Sequence, residues 1–193
     1  MNNIYLIGFM GSGKSAAAAY LMRQYGMPRI EMDREIEGDC GMTIPEIFAE
    51  YGEEAFRQKE TLLLRKIAEM DGIVISCGGG VPLRKENVEL MRSSGTVVYL
   101  SAQPETILER VWRSDNRPVL EGRKTVEGIR ELMEQRAEKY GSAADITVVT
   151  DGRSIAEVAE EIRRKAGNVR RVLPSVETSV QPDPMPDPGS CPR

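Results

Sequence analysis

The chain has 193 residues, 40% of them hydrophobic, which is enough to bury one core and gives no reason to expect a second. A formal charge of −4 argues against a surface built to hold nucleic acid, and with no basic signal-like start and no run near the roughly 18 apolar residues that cross a bilayer, a cytoplasmic protein without a membrane partner is expected. Cys40, Cys77 and Cys191 form no CxxC pair and histidine is absent, so no disulfide framework or zinc site is indicated, every His-based triad is excluded, and chemistry must run on carboxylates, Lys, Arg, Ser and backbone amides.

The first predicted element is the strand Ile4-Tyr5-Leu6-Ile7. It runs directly into Gly8-Phe9-Met10-Gly11-Ser12-Gly13-Lys14-Ser15, which satisfies GxxxxGK[ST] and opens a helix at Lys14. In such a P-loop the glycines let backbone N–H groups turn inward and the helix N-terminus adds positive potential. Lys14 then reaches the β and γ oxygens of ATP, and Ser15 ligates Mg²⁺. The bland reading, a glycine-rich turn before a helix, is disfavoured by the eight-residue match with correct flanks. The motif specifies a nucleotide bound along Gly11, Ser12, Gly13, Lys14, Ser15 and Ala16, and leaves the acceptor open.

Gly26 and Pro28 end that helix, and a weaker strand is expected over residues 29–32, with Asp33 opening the next turn. Past a strand's carboxyl end, Asp33 is placed to take a proton from a substrate hydroxyl, although an Asp in a turn is more often a cap. Glu31, two residues earlier and on the same face by strand alternation, could hold a water on Mg²⁺. Next along the chain, Arg57 is expected on a helix with Glu60 as a partner three residues on.

A buried strand, Ile73-Val74-Ile75-Ser76, leads to Gly78-Gly79-Gly80, where bare backbone lets a ligand approach closely; a flexible turn is the ordinary alternative. Val97-Val98-Tyr99-Leu100 and Ile146-Thr147-Val148-Val149 complete five strands alternating with helices, the pattern of a parallel sheet covered on both faces, that is, a three-layer α/β/α fold. Between them, the polar stretch from Ser114 to Arg123, which contains Arg117, suits a mobile lid at about 112–124. Arg136 then falls within an apolar helical stripe formed by Ile129, Leu132, Met133, Ala137 and Tyr140, so its guanidinium needs an anion, supplied either by a ligand or by a structural ion pair. Ser154 and Glu157 form a capping box for the last packed helix, ending near Gly167. The proline-rich remainder, 168–193, reads as a disordered tail beyond a single domain at 1–167.

Together, the P-loop, Asp33-Arg34-Glu35-Ile36-Glu37, Phe56-Arg57, Gly78-Gly79-Gly80, Asn116-Arg117-Pro118 and Gln135-Arg136-Ala137 resemble the shikimate kinase family over roughly residues 4 to 165. The resemblance implies a P-loop NTPase of NMP-kinase-like fold with a closing lid. Its implied activity is transfer of the ATP γ-phosphoryl group to the 3-hydroxyl of shikimate, on the route to chorismate and the aromatic amino acids; a monomer whose partners are these small molecules is expected. It also implies that Asp33 binds substrate hydroxyls and acts as base, that Arg57 and Arg136 clamp the carboxylate, and that residues 78–80 give backbone contacts. Lys14 and Arg117 would bind phosphates, Ser15 would hold Mg²⁺ and Arg110 would lie against adenine. This sequence departs from the family pattern at Glu31, where aspartate is usual, and at Ala16, where threonine is common. Two rival readings remain open: another small-molecule kinase, acting on gluconate or a nucleoside monophosphate, and a regulatory protein that binds ATP without turnover.

Overall fold

In the computed structural model the described residues are 2–112 and 125–169, without the side chain of Asn168. Arg117, the remainder of the predicted lid beyond Trp112, and the predicted tail beyond Val169 lie outside them.

Five strands form one parallel sheet: β1 (Asn3–Ile7), β2 (Arg29–Glu31), β3 (Val74–Ser76), β4 (Gly95–Ser101) and β5 (Ile146–Val149), in the spatial order β2-β3-β1-β4-β5. The P-loop strand is therefore central, with two strands on either side. Helices α1 (Lys14–Tyr25), α2 (Met32–Cys40), α3 (Ile44–Ala68), α4 (Lys85–Ser94), α5 (Pro104–Val111), α6 (Val126–Ala143) and α7 (Ile155–Asn168) connect and cover them. A short 3-10 turn at Val81–Leu83 follows β3.

Strand alternation divides the core in two. Ile4, Leu6, Val74, Val98, Leu100 and Val148 face one way and pack on Ala17, Ala18 and Leu21 of α1 and on Val158, Ala159 and Ile162 of α7. Tyr5, Ile7, Ile75 and Val97 face the other way, onto Leu64 and Ile67 of α3, Met91 of α4 and Ile129 and Tyr140 of α6. The three-layer α/β/α arrangement expected from the sequence is thus the fold observed. The Ser154–Glu157 capping box is also present, with both reciprocal hydrogen bonds formed.

The structure differs from expectation in two local respects. Asp33 does not sit in a turn: Glu31 is the N-cap of α2 and Asp33 lies in its first turn, because the strand passes into a helix without an intervening loop. Strand alternation therefore cannot place Glu31 and Asp33 on one face; their convergence comes from the change of direction between strand and helix. Ala137, expected in the apolar stripe of α6, is exposed.

Asn3 anchors the start of the sheet from a fully buried position. Its Nδ2 donates to Ile67 O (3.3 Å) and Met70 O (2.7 Å) at the end of α3, and its Oδ1 accepts from Ile73 N–H at 3.1 Å. These bonds fix where α3 ends and where β3 begins. Asn3→Ala leaves the buried Ile73 N–H without its acceptor and unties Met70 O, while Ile67 O keeps the Met70 N–H, and it is expected to lower the unfolding free energy by about 1–3 kcal/mol, read as a lower urea midpoint at unchanged m-value.

Candidate active site at the carboxyl edge of the sheet

The P-loop adopts the strained backbone its glycines permit. Gly8, Gly11 and Gly13 have φ of 142°, 77° and 99°. A Cβ on Gly8 would come within 2.5 Å of Leu100 O. Helix α1 starts at Lys14 without a side-chain cap and without an acidic residue in its first turn, so its N-terminal amides and dipole favour an anion. Lys14 Nζ donates to Gly8 O (2.9 Å) and Phe9 O (3.0 Å), bonds that hold the ammonium across the loop. Ser12, within the loop, is buried, and its hydroxyl has no hydrogen-bond partner among the described residues.

Ser15 Oγ donates to Glu31 Oε2 at 2.9 Å and lies 3.3 Å from Ser76 Oγ. Glu31 Oε1 takes no hydrogen bond among the described residues and faces Arg29 Nη1 at 3.5 Å. A hydroxyl beside a carboxylate fits Mg²⁺, which keeps most of its waters and shares phosphate oxygens.

A cleft of about 460 Å³ opens beside the loop. Gly11, Gly13, Lys14, Ser15, Ala16 and Glu31 line one side of it, and Asp33, Arg57, Gly79, Gly80 and Arg136 also line it. Gly78 and Ser12 are buried beneath the lining. Arg110 stands apart, on a neighbouring depression with Thr106, Glu109, Gly152 and Arg153. It is tied to the P-loop through Gly11 O (3.2 Å) and to the end of β5 through Thr150 Oγ1 and O (3.0 Å each). Of the site residues singled out in the sequence, Arg117 lies outside the described residues.

Two of the three glycines, Gly78 and Gly80, are needed for space. Gly80 has φ −93° and ψ −16°, which any residue can adopt, but a Cβ there would overlap the Arg57 guanidinium. A Cβ on Gly78 would sit 2.6 Å from Glu60 Oε1 and 2.7 Å from Asp33 Oδ1. Two carboxylates and a guanidinium thus press directly on bare backbone. Side chains from both flanks hold this segment: Tyr140 Oη donates to Gly79 O (2.8 Å), and Asn87 Nδ2 donates to Val81 O (3.0 Å) while its Oδ1 accepts from Thr61 Oγ1 (2.8 Å). Burial pushes the Tyr140 phenol above its ordinary range, which keeps it a donor.

Arg57 is held as the sequence spacing anticipates and by one more partner. Its Nη1 donates to Glu60 Oε2 at 2.7 Å, and its Nη2 and Nε donate to Glu53 Oε1 at 2.8 and 3.1 Å. Arg136 stands over the Phe9 ring at 5.9 Å, so this arginine of α6 packs on the P-loop itself. Glu60 is fully buried, and burial pushes its carboxyl up to about 7, against the lowering effect of Arg57 and with a further raising effect from Asp33. Its importance was under-read from sequence although the signal was there: Phe56, Glu60, Leu64 and Ile67 follow helical spacing, and a carboxylate inside such a stripe is as anomalous as Arg136 is in its own.

A phosphate cradle at the end of the central strand of a three-layer parallel sheet, opening into a cleft with an acid and two arginines, defines a P-loop small-molecule kinase. The shikimate kinase family model matches residues 10–166. The shikimate kinase of Symbiobacterium thermophilum is 41% identical over 165 residues, covering 84% of this chain and 95% of the relative; that of Desulforudis audaxviator is 46% identical over 155 residues, covering 80% and 81%. The structure of shikimate kinase from Acinetobacter baumannii in complex with shikimate superposes with a TM-score of 0.81 at 32% identity, covering 88% of this chain and 96% of that one. This chain belongs to the shikimate kinase family.

Because Gly80 abuts Arg57 side-on, Gly80→Ala is expected to displace the guanidinium. The loss of one charge-assisted bond corresponds to a rise of about 10- to 100-fold in the KM of an anionic acceptor, with the nucleotide Kd within about twofold of the parent, both read by steady-state kinetics and nucleotide titration.

Proposed function

We propose that this enzyme transfers the γ-phosphoryl group of ATP to the 3-hydroxyl of shikimate, as a cytoplasmic monomer whose kinase domain spans residues 1–167. The observation that carries this reading is the single cleft in which the P-loop meets Asp33, Arg57 and Arg136. A nucleotide held by the loop and a hydroxylated carboxylic acid held by the arginines would present hydroxyl to phosphorus across it.

In this reading the γ-phosphoryl lies at the N-terminus of α1, where Lys14 exchanges its carbonyl partners for phosphate oxygens. Ser15 and Glu31 would hold Mg²⁺, which when bound neutralises charge on the β and γ phosphates. Arg136 and Arg57 clamp the acceptor carboxylate, with the Gly79 and Gly80 backbone beside it. Asp33 accepts the hydroxyl proton as the acceptor oxygen bonds to phosphorus and the bond from phosphorus to the β-phosphate oxygen breaks, releasing ADP. Arg110, anchored between the P-loop and β5, lies on the side expected for the base. Arg117 is assigned to the phosphates by the family motif alone.

ADP release from ATP and Mg²⁺ by the purified protein, compared with shikimate, gluconate, nucleoside monophosphates and no acceptor, tests the substrate. Stimulation by shikimate alone is expected, and stimulation by another acceptor instead would overturn the assignment of the two arginines. Arg136→Ala is expected to raise the shikimate KM by about 10-fold or more at nearly constant ATP affinity, as loss of a charged hydrogen bond requires. Equal loss of both affinities would make Arg136 a structural residue. Asp33→Asn should lower kcat by about 10²-fold or more, and near-parental turnover would remove Asp33 as base.

A further inference from the structure

Glu60 is the one fully buried charged side chain among the described residues, and only half of its carboxylate is satisfied. Oε2 accepts from Arg57, whereas Oε1 has no hydrogen-bond partner among them. That oxygen and Asp33 Oδ1 both reach within 2.7 Å of the same point, the position a Cβ on Gly78 would take. Arg57 already serves two carboxylates, Glu60 and Glu53, before any acceptor arrives. The charged groups around Glu60 come from several elements: Arg57 and Glu53 from α3, Asp33 from α2 and Arg84 from the turn before α4. Lys14 of the P-loop and Arg136 of α6 line the same cleft.

An acceptor carboxylate on Arg57 would bring a third negative charge to one guanidinium and weaken its hold on Glu60. We infer that Glu60 takes up one proton from solvent when the anionic acceptor binds, on the oxygen that converges with Asp33, so that the acceptor's charge is accommodated. The inference rests on the acceptor being a carboxylate held by Arg57. Glu60 is thereby a positioning residue that tunes the clamp through its protonation. Its carboxyl is already raised to about 7 in the absence of acceptor, so a modest further rise crosses the neutral range. The sign follows by linkage: uptake on binding means that acceptor affinity is greatest below about pH 7 and falls as pH rises, by up to about tenfold per unit, until the bound form also ionises.

Isothermal titration of the full chain with shikimate, in two buffers of different ionisation enthalpy, reads the proton directly. The parent should take up about half a proton or more near pH 8 and almost none near pH 5.5, where free Glu60 already holds its proton. Glu60→Gln, checked for folding by circular dichroism, should still bind shikimate with its uptake abolished and its KM flat across that range. Binding heat without buffer dependence, uptake confined to the acidic end, or parental uptake in Glu60→Gln would each overturn the inference while leaving the shikimate reading intact. Absence of both binding heat and ADP release with shikimate would instead remove that reading and this inference with it. Should Glu60→Gln not fold, infrared difference spectra of the parent at about pH 8 decide the matter: shikimate must bring up the C=O band of a protonated carboxyl, and its absence refutes the uptake.

Discussion

All five strands run parallel, so their carboxyl ends open on the same edge of the sheet, and each hands the chain to a segment that contributes to the site. β1 delivers the P-loop, β2 Glu31 and Asp33, β3 the triple glycine, β4 leads to α5 and Arg110, and β5 ends beside Thr150 and Arg153. The spatial order then sorts these contributions. With β1 central, the strands on one side bring the acid and the glycine segment, while those on the other bring the groups around Arg110. The P-loop stands between the two groups because β1 stands between their strands.

Within that frame the acceptor side is an exercise in placing charge where water is scarce. A buried carboxylate is tolerable only with a partner, and Glu60 has Arg57; Arg57 in turn is shared with the exposed Glu53. The guanidinium can stand this close to the sheet because Gly80 has no side chain, and the two acids can converge because Gly78 has none. Hydrogen bonds from Tyr140 and Asn87 stop the bare segment from exploiting its freedom. The Phe9 ring under Arg136 joins this arrangement to the phosphate cradle, so the two halves of the site share a wall.

Much of this was legible in one dimension wherever a local rule was sufficient. Short apolar runs separated by helical stretches give the five strands, and GxxxxGK[ST] between a strand and a helix gives the cradle, since three glycines are placed where positive φ is required. The capping box at Ser154 is a contact between residues three apart and so is written locally. Arg136 was noticeable because a guanidinium interrupts a hydrophobic period. Asp33 was found for its position after a strand, but its surroundings were misjudged, because nothing in residues 31–33 announces a strand passing into a helix without a turn.

The sequence by itself determined the fold class, the phosphate cradle and the residue types available to the acceptor, since each follows from spacing along the chain. Only the tertiary structure decided that Glu60 loses all contact with water and that Gly78 and Gly80 are demanded by neighbouring side chains. Those facts depend on distances between Asp33, the Arg57–Glu60 turn of α3 and the end of β3, positions that are far apart along the chain. Burial and Coulomb interactions act through space, and chain spacing carries no record of them until the sheet brings its carboxyl ends together.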